Sequence, residues 1–182
     1  MSRIVAIMPY DPNWLDYFVE LGRRLRAAIG EAAYRIDHIG STSIPGLAAK
    51  PIIDIQISVA EFEPMAPYRD PLEAMGFEFR KTNPELTKRY FKEPRPSEER
   101  THIHVRRAGS FSEQFPILFR DYMRCHPGDA AEYAALKRRL AEEHRTDPLR
   151  YNEEKGDFIW RTIRLADQWA QGVGWTPGAS DA

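Results

Sequence analysis

The spacing of apolar residues divides the chain into a strand-rich first part and a helical second part. Near the N-terminus, apolar residues recur every three or four positions, which predicts an amphipathic helix that buries Trp14, Phe18, Leu21, Leu25 and Ile29. Short apolar and alternating runs then predict five strands, at 34–39, 51–59, 77–80, 88–92 and 101–106. A short helix over about 70–76, ended by Gly76, follows the second strand, and a polar turn is expected over 94–100.

The second half of the chain returns to helical spacing. Helices are predicted over about 112–124 and 128–144, and a third begins near Pro148 and continues to about residue 171. These patterns predict one α/β (α+β) domain over residues 1–172, with a small mixed sheet flanked by helices and a helical C-terminal half that closes one side of a cleft. A Gly- and Pro-containing tail over 173–182 is expected to be flexible.

The segment between the first two strands has the most informative polar pattern. Gly40 can adopt a positive φ, and Ser41, Thr42 and Ser43 supply hydroxyls and consecutive backbone N–H groups. If the chain starts a helical turn here, these groups form a cradle for an anion. In the next strand, alternation places Asp54 and Gln56 on one face, about 7 Å apart, and the isoleucines on the other. The alternative for Asp54 is a solvated acid on an edge strand.

Two later segments carry further candidate chemistry. His102 and His104 are two residues apart and share one face of the fifth strand, as ligands or catalytic groups or as structural histidines. Tyr151 and Lys155 lie one helical turn apart on the same side, where the simpler interpretation of Lys155 is an exposed lysine. If the two polar strands are neighbours, Asp54 and the histidines can act together.

Composition narrows the possible functions. The chain has 26 basic and 27 acidic residues, which argues against non-specific binding to nucleic acid or to a membrane surface. The basic residues at 106–107 and 137–139 could form an RNA-binding surface, but this interpretation is disfavoured because Glu142 and Glu143 are close to residues 137–139 in the sequence. One cysteine excludes an internal disulfide, and no apolar run suits a signal peptide or a membrane span, so a cytoplasmic location is expected.

Several motifs together resemble the GrpB family, whose members are similar to polymerase β-like nucleotidyltransferases. They are HIGSTSIPGLAAKPIIDI, THIHV, LFRDYMRCHP followed by YAALKRRLA, and the helix with Tyr151, Lys155 and Phe158. Such enzymes have a strand that ends in Gly-Ser, then a strand with two carboxylates separated by one residue, and a third acid on a neighbouring strand. Gly40-Ser41 and Asp54 match this pattern. Gln56 stands at the position of the second carboxylate. His104, or alternatively His102, stands at the position of the third acid.

The resemblance implies transfer of a nucleotidyl group from a nucleoside triphosphate to an acceptor, with Mg²⁺ or Mn²⁺ as cofactor. The implied catalytic residues are Asp54, Gln56 and His104, and the implied metal ligands are Asp54, His102 and His104. The phosphates and the nucleotide would be bound by Gly40, Ser41, Ser43, Lys50, Arg120, Tyr151 and Lys155.

The loss of two carboxylates keeps an alternative open. Mg²⁺ prefers oxygen ligands, whereas an Asp with two histidines resembles the ligand sets of Mn²⁺, Fe²⁺ or Zn²⁺. The alternative is a catalytically degenerate module that binds a nucleotide or a coenzyme. Members resembling this domain are joined to dephospho-coenzyme A kinase in some actinobacteria. The expected partner is a nucleotide or another phosphate-bearing small molecule, and the sequence contains no indication of an oligomeric state.

Overall fold

In the part of the chain that the structure describes, the sheet is mixed and has five strands, as the sequence predicts. The computed structural model describes residues 4–94 and 100–182, so the predicted turn over 94–100 lies mostly outside the described residues. The strands are β1 (Arg35–Ile39), β2 (Ile53–Val59), β3 (Glu78–Phe79), β4 (Arg89–Lys92) and β5 (Thr101–Arg107). Their order is β1-β2-β5-β4-β3. β2 and β5 are parallel, and the pairs β1–β2, β4–β5 and β3–β4 are antiparallel.

The helices confirm the predicted order of elements but correct two boundaries. They are α1 (Asn13–Ile29), α2 (Ala66–Ala74), α3 (Phe111–Cys125), α4 (Pro127–Glu143), α5 (Pro148–Glu154) and α6 (Gly156–Val173). The prediction that α2 begins near residue 70 was wrong, because Pro67 lies in its first turn, where a backbone N–H has no helical partner to lose. The prediction of a single C-terminal helix was also wrong. The chain instead forms α5 and α6, which are separated at Lys155, next to Gly156, a residue of weak helix propensity.

One face of the sheet is held by apolar packing. Ile55 and Ile57 of β2 and Ile103 and Val105 of β5 are fully buried, and they pack with the apolar stripe of α1 and with Tyr68 and Leu72 of α2. Burying a side chain of this size stabilises the fold by about 1.5–3 kcal/mol. The alternating polar residues of β2 and β5 are therefore directed to the opposite face. Within the described residues, no helix is long and apolar enough to cross a bilayer.

The start of α3 covers part of the polar face. Ser110 caps this helix by accepting a hydrogen bond from the Glu113 backbone N–H at 3.3 Å. The buried Glu113 carboxylate accepts hydrogen bonds from Ser58 Oγ at 2.7 Å and from the Gly109 backbone N–H at 3.1 Å. The backbone oxygen of Glu113 accepts a bond from Gln56 Nε2 at 2.8 Å. These contacts leave the end of β2 that carries Asp54 as the more accessible part of the face.

The turn after β1 depends on glycine. Gly40 has φ 71° and ψ −171°, a conformation that side chains rarely adopt, and residues Ser41–Ser43 then form a 3₁₀ turn. A Cβ on Gly40 would lie 2.6 Å from Asp54 Oδ2. The close approach of the backbone to Asp54 is thus possible only without a side chain at position 40.

The end of the chain lies along the free edge of β1. The Ile36 backbone N–H donates to Ser180 Oγ at 2.8 Å, and the Ala182 backbone N–H donates to the Ile36 oxygen at 3.1 Å. The Asp181 carboxylate accepts from the His38 backbone N–H at 2.9 Å and from Arg120 Nη1 at 2.6 Å. Residues 178–182 therefore cover backbone groups that an edge strand otherwise exposes. The flexibility predicted for residues 173–182 stays a prediction.

We expect Gly40→Ala to lower the free energy of unfolding by at least about 2 kcal/mol, because backbone strain and the clash with Asp54 add together. Gly46→Ala is the matched control, since Gly46 also has a positive φ but has open space where a Cβ would be. Urea unfolding of both variants measures the difference. Equal losses of stability would show that the contact with Asp54 contributes nothing to the effect.

We expect Asp181→Ala to lower the free energy of unfolding by about 1–3 kcal/mol, because it removes a partner of the buried Arg120 guanidinium. Asp167→Ala is the control, since Asp167 is an exposed acid on α6. Thermal unfolding measures both variants. An unchanged melting temperature for Asp181→Ala would mean that the terminal segment does not stay bound to β1 in solution.

Candidate functional site

A cleft of about 350 Å³ lies on the polar face of the sheet and is closed by the C-terminal helices. Strands β2, β4 and β5 contribute Asp54, Tyr90, His102 and His104, and the loop between β1 and β2 contributes Ser41, Thr42 and Lys50. Helices α4 and α5, with the residue after α5, complete the lining with Lys137, Tyr151, Asn152 and Lys155. Acidic, imidazole and ammonium groups from segments distant in sequence therefore converge on one space.

The parallel pairing of β2 with β5 brings Asp54 opposite His102 and Gln56 opposite His104. Asp54 Oδ1 lies 3.3 Å from His102 Nδ1 and 3.1 Å from His104 Nε2. The Asp54 side chain is 29% exposed, so the group faces the cleft without being freely solvated. One ligand atom from each of the three residues lies within 4.8 Å of the other two. The two polar strands are therefore neighbours, which is the condition for Asp54 and the histidines to act together.

The protonation states suit a site for a cation. Burial alone raises the pKa of the Asp54 carboxyl, but hydrogen bonds with His102 and His104 outweigh this and hold its pKa well below the usual range. Burial lowers the pKa of His104, although the Asp54 carboxylate opposes that shift. At neutral pH, the group thus has an ionised carboxylate beside an imidazole that favours its neutral form. One carboxylate oxygen and two imidazole nitrogens form a suitable donor set for a divalent ion of the Mn²⁺, Fe²⁺ or Zn²⁺ type.

Lysines occupy the opposite side of the cleft. Lys155 Nζ lies 4.4 Å and Lys50 Nζ lies 4.9 Å from the centre of the Tyr151 ring. Lys137 is 2% exposed, and its Nζ donates to Ser41 Oγ at 3.0 Å and to the Ala48 backbone oxygen at 2.5 Å. Among the described residues, no carboxylate forms an ion pair with Lys137 or Lys155. This side of the cleft therefore has positive charge available for an anion.

Burial and mutual repulsion shift the pKa values of two of these lysines. Burial lowers the pKa of Lys137 to about 7, and the positive charges of Lys155, Arg138 and Lys50 add to the shift. Burial and the charge of Lys50 lower the pKa of Lys155 to about 8, against the opposing effect of Asp54. Both ammonium groups would be stabilised by a negatively charged ligand.

Most of the residues selected from the sequence lie in the cleft, but some do not. Ser41, Lys50, Asp54, His102, His104, Tyr151 and Lys155 line it together. Gly40 lies directly behind Asp54, and Ser43 is turned back, with its hydroxyl donating to the Gly40 oxygen at 2.6 Å. The buried Gln56 points under the start of α3 instead of into the cleft.

Arg120 is outside the cleft, so the prediction that it binds phosphate is not supported by its position. Its guanidinium is 4% exposed and is bound by Asp121 at 2.8 Å, by Asp181 at 2.6 Å and by the His38 backbone oxygen at 3.0 Å. The physical reason is that two carboxylates already neutralise this arginine, while its bond to the His38 oxygen links α3 to β1.

Sequence reasoning missed the position of Lys137. Residues 137–139 were considered only as part of a basic RNA-binding surface, an interpretation that was disfavoured, yet Lys137 is buried while Arg138 and Arg139 are exposed. A signal was present, because Lys137 follows Tyr133 by one helical turn and so shares the apolar stripe of α4. A lysine on a buried stripe indicates a specific role or a specific partner more strongly than a lysine in a basic run.

A larger groove of about 560 Å³ lies between α4 and α6, but most of its charged side chains already have an oppositely charged neighbour. Arg161 lies 2.5 Å from Glu132, and Glu154 lies 2.9 Å from His144 and 3.0 Å from Arg150. Glu143, His144 and Glu154 could also approach a metal ion, but these ion pairs account for Glu154 and His144. We therefore place the candidate site in the smaller cleft.

Comparison with known proteins gives relatives over nearly the whole chain. The chain is 37% identical over 172 residues to the UPF0157 protein YqkA of Bacillus subtilis, and the match covers 94% of this chain and 50% of that protein. It is 32% identical over 198 residues to a dephospho-CoA kinase of Mycobacterium leprae, covering 93% of this chain and 48% of the kinase. The chain thus spans about half the length of these two relatives.

Comparison with solved structures also identifies proteins that are similar to this chain. The conserved protein GrpB from Enterococcus faecalis has a TM-score of 0.81 and 31% sequence identity, with 90% of this chain and 99% of that chain covered. The Cid1 poly(U) polymerase has a TM-score of 0.52 at 13% identity over 75% of this chain and 44% of its own, a likeness in fold. The fold is therefore nucleotidyltransferase-like. The model of the GrpB protein family matches residues 4–164, so the chain belongs to the GrpB family.

Proposed function

We propose that the cleft binds a nucleoside triphosphate with a divalent metal ion and transfers a nucleotidyl group to an acceptor hydroxyl. The observation that supports this proposal most strongly is the convergence of Asp54, His102 and His104 on one side of the cleft with Ser41, Lys137 and Lys155 on the other. Opposed negative and positive groups suit a ligand that combines a metal ion with a chain of phosphates. The nucleotidyltransferase-like fold agrees with this assignment.

Each group has a distinct part in the proposed reaction. Asp54, His102 and His104 would hold the ion, whose chemistry is to neutralise charge on phosphate oxygens and to lower the pKa of a bound hydroxyl. Ser41 and the backbone of its 3₁₀ turn would donate to phosphate oxygens. Lys137 and Lys155 would balance the remaining phosphate charge. Tyr151 packs against two ammonium groups and so positions them.

The donor set limits the choice of metal. A carboxylate and two imidazoles favour Mn²⁺ or another transition ion over Mg²⁺, which prefers oxygen ligands. The buried amide of Gln56, which donates to the Glu113 backbone oxygen, provides no second carboxylate beside Asp54. One ion held by Asp54 and the histidines agrees better with these residues than a pair of Mg²⁺ ions.

A second candidate function is a nucleotide- or coenzyme-binding module without transfer activity. The observation that favours it is the loss of two carboxylates, at Gln56 and at His104, from the pattern that the sequence resembles. Relatives called dephospho-CoA kinase, in which this chain matches about half of the length, suggest a ligand that contains a nucleotide. In this case the lysines and Ser41 would bind the ligand phosphates without turnover.

We expect Asp54→Asn to weaken metal-dependent nucleotide binding by at least about tenfold, because the amide removes the only negative charge among the three candidate metal ligands. Asp70→Asn is the matched control, since Asp70 is an exposed acid on α2. Isothermal titration calorimetry with the four nucleoside triphosphates, each with Mn²⁺, with Mg²⁺ or without metal, measures the effect.

The outcomes separate the two candidates. Binding that requires metal in the wild type and in Asp70→Asn, but is lost in Asp54→Asn, supports the transferase and directs a search for the acceptor. Equal binding with and without metal, unchanged in Asp54→Asn, contradicts the transferase and supports the binding module, for which coenzyme A is then titrated. If none of these ligands binds, both candidates are wrong.

A further inference from the structure

Lys137 is placed where a charged ammonium group is poorly stabilised in the absence of a ligand. It is 2% exposed, so water does not solvate the charge. Its Nζ contacts neutral oxygens, those of Ser41 and Ala48, and lies 4.5 Å from the centre of the Tyr133 ring. A buried ammonium without a carboxylate partner destabilises the fold unless it loses its proton or gains an anion.

The groups around Lys137 increase this cost. On α4 itself, Arg138 and Tyr133 are the neighbouring titratable groups, and the loop before β2 contributes Lys50. From α5 and the residue after it come Tyr151 and Lys155, and the Asp54 carboxylate on β2 acts on Lys155 and Tyr133 from across the cleft. The pKa of Tyr133 is raised to about 12, so its phenol stays neutral beside Lys137. The surrounding charge is therefore positive on the side of Lys137.

We propose that Lys137 is largely neutral in the empty cleft at slightly alkaline pH, and that it takes up a proton when a ligand with several linked phosphates enters. This inference rests on the proposed function, because it assumes that the lysine side of the cleft is the phosphate site. The proton comes from solvent, and no covalent bond to the ligand forms. The cleft then holds a neutral amine when empty and an ion pair when occupied.

The hydrogen bonds around Nζ are compatible with both states. A neutral amine has two N–H groups and one lone pair, so it can donate to the Ala48 oxygen and accept from the Ser41 hydroxyl. An ammonium has three N–H groups, and the third can be given to a phosphate oxygen in the cleft that Lys137 lines. Protonation would also free the Ser41 hydroxyl to donate to the same ligand. Ligand binding and protonation therefore favour each other.

The sign of the pH dependence follows from this coupling. The pKa of Lys137 is about 7 without ligand, and an anion raises it. Below pH 7 the lysine is already charged, and binding takes up little proton. Between pH 7 and the higher pKa of the occupied state, binding takes up as much as about one proton, and affinity falls by as much as about tenfold per pH unit as pH rises. Lys155, with its pKa of about 8, adds a smaller uptake at the same pH.

The experiment is titration calorimetry of the full chain with inorganic tripolyphosphate, without metal, at pH 8 in two buffers of different ionisation enthalpy. The difference in heat between the buffers gives the number of protons taken up per ligand. Lys137→Met keeps most of the length of the side chain and removes the titrating group. Lys88→Met is the matched control, because Lys88 also lines the cleft but is ion-paired with Glu85 at 2.7 Å. The ionisation of tripolyphosphate itself is common to all three proteins and cancels in the comparison.

We expect Lys137→Met to reduce proton uptake by about one proton relative to the wild type, and Lys88→Met to leave the uptake unchanged even if it weakens binding. Equal uptake in all three proteins would overturn the inference while leaving the proposed phosphate site intact. If the wild type does not bind tripolyphosphate at all, the inference and the assignment of the lysine side to phosphate both fail. These two failures are therefore distinguishable.

A second measurement follows the titration of Lys137 in the wild-type protein itself. Carbon-13 NMR of the lysine Cε groups of the wild type follows each lysine through its own titration, and the Lys137→Met spectrum assigns the missing signal. We expect that signal to have a midpoint near pH 7 without ligand and at least about one pH unit higher with tripolyphosphate. A midpoint near the ordinary lysine value in both states would contradict the proposal.

Discussion

The parallel pairing of β2 with β5 is the constraint on which the candidate site depends. It sets Asp54 opposite His102, so both imidazoles approach the same carboxylate oxygen. Side chains alternate along a strand with a period of two, and a shift of one residue would send the polar set to the other face. That shift is prevented by Ile55 and Ile103, which are fully buried on the α1 side. The packing that stabilises the sheet thus also assembles the candidate ligands.

Charge pairing distinguishes the cleft from the rest of the molecule. Arg120 is buried with two carboxylates, and Arg35 donates to the buried Asp37, so these cations are neutralised within the fold. Lys137 is buried and Lys155 is half-buried near other positive charges instead, and both pKa values are lowered. Retaining unpaired buried cations costs stability, a cost that proteins tolerate at functional sites. This contrast supports a negatively charged ligand for the cleft.

Local patterns predicted much of the fold because they depend on short-range periodicity. The buried stripe of α1 and the alternation in β2 and β5 were evident, since each element has to bury one face. The boundaries failed where local propensity and context compete. Prolines suggested a loop before α2, yet Pro67 is accommodated in its first turn. A continuous helix was expected past Tyr151, but the chain breaks at Lys155 before Gly156.

Some properties of the candidate site were likewise evident from the sequence, and others were not. The sequence alone determined the face on which Asp54, His102 and His104 lie, the ability of position 40 to adopt a positive φ and the resemblance to the GrpB family, because these follow from strand alternation, backbone sterics and contiguous motifs. Only the tertiary structure decided that Arg120 is ion-paired with Asp121 and Asp181, and that Lys137 lines the cleft. The physical reason is that burial and charge pairing depend on which distant segments pack together, and this information is absent from the local pattern around any one residue.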